Sequence, residues 1–153
     1  MKTKLLFFAA IIAAFLISCG KSSTEDPIVP EESDFTGTVT VIYEGTAFDN
    51  ENILVSFVPA EDGKSASITL HQIRFVPDMP LAIDTTIPGI TLHSTSEKIS
   101  LSCERVVPLA MGGEFPRYTV TNLHGEQVGT ELSFSLNFGE YPTSFKGQRA
   151  NTE

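Results

Sequence analysis

The chain of 153 residues carries 19 acidic against 10 basic side chains, a formal net charge of −9. A surface this acidic repels phosphate, so nucleic acid is excluded as a partner. Two cysteines provide no disulfide framework once Cys19 has another use, and the length suits one folded domain.

The chain opens with Lys2 and Lys4, followed by an apolar run of 13 residues from Leu5 to Ile17 and then Ser18-Cys19. A basic start, an apolar core and a small residue at the cut site form a secretory signal. The run falls short of the roughly 20 apolar residues that a spanning helix needs. A Cys directly after the small residue adds a second meaning, because its thiol can accept a diacylglycerol. Leu16-Ile17-Ser18-Cys19 resembles the bacterial lipobox. The resemblance implies a signal peptide over 1–18, lipidation of Cys19 and a place in the bacterial cell envelope, at the outer membrane. Removal of 1–18 takes both lysines with it and moves the net charge to about −11. The folded domain then has no basic patch for anionic lipid, and the lipid on Cys19 is the expected membrane contact.

Residues 19–34 read as an acidic linker. Ser22-Ser23-Thr24, Pro27, Pro30 and five carboxylates between Glu25 and Asp34 cannot bury apolar area, so a disordered tether is expected. From Phe35 the period is two. Phe35, Gly37, Val39, Val41 and Tyr43 alternate with Thr36, Thr38, Thr40 and Ile42, which predicts a first strand. Ile53–Val58 predicts a second, and Asp62-Gly63 a hairpin turn into a third through Ala66, Ile68 and Leu70. The apolar parity shifts before Ile73 and Phe75, placing a bulge near His71-Gln72. Pro77, Pro80 and Pro88 predict only short or edge strands through 77–92. Ile99–Cys103, Phe115–Asn122, Glu131–Phe138 and Thr143–Arg149 complete the strands, with a loop around Pro108 and Gly112-Gly113.

About eight strands and no amphipathic helix predict an all-β domain over 35–149, with a tail at 150–153. An antiparallel up-and-down barrel or a β-sandwich would suit the spacing. Phe35-Thr36-Gly37 and Phe145-Lys146-Gly147 share a Phe-x-Gly spacing, which favours a closed barrel whose first and last strands pair at matched glycines. Val39, Val41, Ile68, Leu101, Val120, Phe134 and Leu136 would line its interior.

The lipobox, the Phe35–Val41 strand, the Asp62-Gly63 hairpin and the Ser133–Leu136 and Phe145–Gly147 runs together resemble lipoproteins of Bacteroidetes with a calycin-like β-barrel domain. The resemblance implies a lipocalin-like barrel whose cavity holds a small apolar molecule, and it brings no catalytic residues.

Catalytic signals are thin. The sequence holds no Gly-x-Ser-x-Gly, no His-Glu-x-x-His and no glycine-rich phosphate loop. His71, His93 and His124 share no metal-ligand spacing, and a His71/Met79 pair is a weak haem or metal candidate beside ordinary solvent-facing roles. No metal or cofactor is expected. Cys103, at an apolar position of its strand, reads as core packing. Arg74 and Arg117 sit between apolar neighbours, where an inward guanidinium would meet a ligand carboxylate, although an outward arginine on a strand is the commoner arrangement. The chain therefore reads as a non-enzymatic, lipid-anchored binding protein. Two readings stay open: a small apolar or amphipathic ligand in the barrel, or a filled barrel whose loops at 77–95 and 105–114 meet an envelope protein.

Overall fold

The computed structural model describes residues 26–151, so the expected signal peptide, Cys19 and the first part of the expected linker lie outside the described residues. Ten strands follow: β1 (Ser33–Tyr43), β2 (Thr46–Pro59), β3 (Ser65–Ile73), β4 (Ile83–Ser94), β5 (Ile99–Val106), β6 (Leu109–Ala110), β7 (Gly113–Glu114), β8 (Val120–Val128), β9 (Glu131–Phe138) and β10 (Tyr141–Arg149). Neighbours pair antiparallel around β1-β2-β3-β4-β5-β8-β9-β10, and β1 pairs with β10 to close an eight-stranded up-and-down barrel. The short β6–β7 hairpin lies against β4, with Thr85 opposite Ala110.

Alternation supplies the apolar face, and the sheet buries it by curling on itself until β1 meets β10. β9 shows it most plainly: Leu132, Phe134, Leu136 and Phe138 are buried, while Glu131, Ser133, Ser135 and Asn137 are partly exposed. All seven residues expected to line the interior are buried, none more than 4 % exposed. Cys103 is half-buried against the same core.

The ladders shift register at four places, and each shift carries one residue with left-handed backbone: Asn52, Gln72, Gly89 and Asn122. A bulge inserts one residue and turns the strand, so apolar side chains on either side keep facing inward. The shift at Gln72 is the one read from the parity change, and it puts Ile68, Leu70, Ile73 and Phe75 all in the core.

Prolines shorten the fourth strand less than expected. β4 is 12 residues long and lies between β3 and β5. Pro88 sits at the bulge, after β4 has paired with β6 at Thr85–Thr86 and before it pairs with β5 from Thr91. The missing donor therefore falls where the ladder is already interrupted. A second departure lies at residues 115–119. The expected strand starts only at Val120, because Pro116–Tyr118 forms a 3-10 turn in which the Thr119 N–H donates to the Pro116 carbonyl at 3.1 Å. β2 also begins earlier than expected, at Thr46, after a turn in which Glu44 and Gly45 both have positive φ, the pairing that a tight hairpin favours.

Candidate functional site

The barrel interior is occupied by its own side chains. Phe35, Phe57, Phe138, Phe145 and the aliphatic residues between them are fully or almost fully buried. Aromatic rings close one end. Phe75, from the β3–β4 connection, stacks on Tyr118 with centroids 4.1 Å apart and meets Phe138 edge-on at 4.9 Å. Phe115 packs on Tyr118 at 5.0 Å, and the Met79 Sδ accepts the Phe75 N–H at 3.4 Å. The 3-10 turn is what delivers Tyr118 to this plug, so the departure from a strand at 115–119 has a packing purpose.

The other end is crossed by residues 26–32. The Ile28 N–H donates to the Thr95 carbonyl at 2.8 Å, and its side chain packs against the core. Part of the expected linker is thus laid over the barrel before β1 begins at Ser33. Open depressions lie on the outer surface. One of about 730 Å³ runs across β5, β8, β9, β10 and β1 beside Thr38, Thr40, His124, Ser133 and Ser144.

The two arginines singled out from the sequence are both exposed. Arg74 is tied through its backbone to Asn50, whose side chain accepts the Arg74 N–H at 2.9 Å and donates to its carbonyl at 3.0 Å. Arg117 holds its guanidinium 5.6 Å from the centre of the Tyr118 ring, a cation–π contact at the aromatic end. The three histidines are dispersed over the outer face: His71 on β3, His93 on β4 and His124 on β8, where the His124 Nε2 lies 3.2 Å from the Ser135 hydroxyl. Among the described residues no group of three or more His, Cys, Asp or Glu side chains could hold a metal ion.

Register brings together one polar network that no sequence signal marked. The Ser56 Oγ lies 3.0 Å from the His71 Nε2, and the His71 Nδ1 lies 3.4 Å from the Asp84 Oδ2. This order of atoms suits an activated hydroxyl. A fourth residue changes its meaning, because the Ser56 hydroxyl donates to the Asp34 Oδ1 at 2.8 Å. Its single proton is committed to a carboxylate, which leaves none for His71 to accept. The four residues stand on β1, β2, β3 and β4, and they fasten those strands together from outside. The Asp84 carboxyl is held below its usual range, first by the Gln72 side chain and then by the Gln72 backbone N–H, which outweigh the opposing effect of burial, with His71 adding lesser contributions.

A second cluster gathers at the aromatic end, where all three tyrosines of the chain meet. Tyr43, closing β1, lies 6.0 Å from Tyr141, opening β10, and Tyr141 lies 6.1 Å from Tyr118. Tyr43, Glu44, Glu140 and Tyr141 border a depression of about 470 Å³.

The closed antiparallel eight-stranded barrel is compatible with a calycin-like fold. No family model matches the chain, and neither the curated proteins nor the solved structures contain a match to it.

Proposed function

We propose that the protein is a lipid-anchored, non-enzymatic module of the bacterial cell envelope, which binds through its outer surface and loops and keeps its barrel filled. The filled interior carries this reading. A ligand inside the barrel would require Phe75 and Tyr118 to leave one end, or Ile28 to leave the other, whereas surface binding needs no rearrangement. Support for the anchor comes from Leu16-Ile17-Ser18-Cys19.

Exposed apolar residues support the surface reading. Leu81 and Met111 are 70 % and 73 % exposed, and both stand in the connections that close the aromatic end. Large apolar side chains presented on loops are common at protein contacts.

Native mass spectrometry of the protein isolated from its own cells tests the filled barrel. The expected mass is that of the processed, lipidated chain alone, and a co-purifying small molecule would restore the cargo reading. Fractionation tests the anchor: Cys19→Ala should move the protein from the membrane to the soluble fraction, and continued membrane association would overturn that part.

A further inference from the structure

Two observations converge on the depression between the β1–β2 and β9–β10 turns. Tyr43 and Tyr141 border it, and both rings are half-buried, so each presents part of its surface to solvent. Glu44 and Glu140 border it too, and neither forms an ion pair among the described residues. Two glutamates alone would mean little in so acidic a chain. Beside tyrosine rings they make a different environment, because ring faces attract cations that shed their hydration readily and carboxylates add long-range attraction.

The surrounding electrostatics agree. Burial raises the Tyr141 hydroxyl above its ordinary value, and the Glu140 carboxylate raises it further, more than Arg117 lowers it. The neighbouring ring already holds a cation, since the Arg117 guanidinium sits 5.6 Å from the centre of Tyr118. Tyr43 and Tyr141 are phenol rings of the same kind, 6.0 Å apart, with Glu44 and Glu140 beside them.

We propose that the depression bounded by Tyr43, Glu44, Glu140 and Tyr141 binds an organic cation, an alkylated ammonium carried by a free small molecule or by a lysine side chain. Rings select such a group over a strongly hydrated metal ion. This deepens the surface-binding reading by naming the partner's chemistry, and it rests on that reading but not on the lipid anchor.

The chain contains three tyrosines and no tryptophan, so its intrinsic fluorescence arises from this cluster. Titration with choline, with N-acetyl-lysine methylamide and with sodium chloride at matched ionic strength tests the proposal. Choline or the lysine derivative is expected to give a saturable change with a Kd of about 1 mM, the strength of a few exposed cation–π and ionic contacts. Glu44→Gln with Glu140→Gln should weaken binding about tenfold, and Tyr43→Leu about fivefold. Tighter binding of choline assigns the site to a free quaternary ammonium, and tighter binding of the lysine derivative assigns it to a protein side chain. A response no different from sodium chloride would overturn the proposal, as would one unchanged in the double glutamine variant. Amide shift mapping by NMR provides an independent readout: shifts centred on Tyr43 and Tyr141 support the site, and shifts elsewhere reject it. Failure here with a bare native mass would leave the filled barrel standing without this ligand.

Discussion

Gly37 lies directly opposite Gly147 across the β1–β10 pairing, and neither position has room for a side chain. A methyl group at Gly37 would overlap the Lys146 carbonyl oxygen and the Gly147 Cα, while one at Gly147 would come within 2.5 Å of the Phe145 ring and 2.6 Å of the Thr36 carbonyl oxygen. The two strands that seal the barrel therefore cross where both have lost their side chains.

Gly37→Ala tests this seam. Its obstacles are backbone atoms, which cannot rotate aside, so stability should fall by about 3 kcal/mol or more. Urea denaturation would show it as a lower midpoint with an unchanged slope. A variant as stable as the parent would mean that the strands do not approach so closely.

Thr85 offers a gain in stability. It is fully buried, and its hydroxyl has no hydrogen-bond partner among the described residues. Thr85→Val keeps the shape and removes the unsatisfied group, so unfolding should cost about 1 kcal/mol more. Thermal unfolding followed by circular dichroism would read the change as a rise in Tm.

Phe75 should be among the costliest residues to truncate. Its ring fills the space between Tyr118 and Phe138. Phe75→Ala leaves a cavity there, with an expected loss of about 3–5 kcal/mol by urea denaturation. A loss under about 1 kcal/mol would show that the plug is loosely packed.

Asp84 makes stability depend on acid. Its carboxyl is depressed from an unfolded value near 3.8, chiefly by Gln72 and then by His71. A depressed carboxyl contributes stability that is present above the unfolded value and is lost as pH falls through the folded one. The side chain is 52 % exposed, so solvent screening keeps this contribution below about 1 kcal/mol. The stability difference between the parent and Asp84→Asn should be present in full above the unfolded value and shrink as pH falls below it. A difference that grows on acidification would give the interaction the opposite sign.

Local chemistry was readable from the sequence wherever one strand decided it. The alternation in β9 defined Glu131–Phe138 to the residue, the parity shift located the bulge at Gln72, and the paired Phe-x-Gly spacings foretold that β1 meets β10. Pro88 misled because its meaning depends on a partner: a missing donor is harmless where β4 passes from β6 to β5, and that exchange is a property of three strands. The polar stretch Asp49-Asn50-Glu51 hid the first half of β2 for a similar reason, since it lies near the bulge at Asn52 and carries little apolar alternation. The Ser56–His71–Asp84 network and the tyrosine cluster were not legible at all. Each joins residues whose proximity comes from register and closure, and no spacing along the chain encodes either.

The pairing of the first strand with the last also sets a schedule for folding. β1 can zip to β2 early, but its other edge waits for Tyr141–Arg149, about a hundred residues later. Any subset of the strands that lacks β10 would leave β1 with an unpaired edge. The final link joins neighbouring ends: the Ala150 N–H donates to the Asp34 carbonyl at 2.8 Å. A break placed in an exposed turn elsewhere, with these ends linked, would yield the same barrel assembled in a different order, and its refolding rate would report how much of the barrier lies in that last closure.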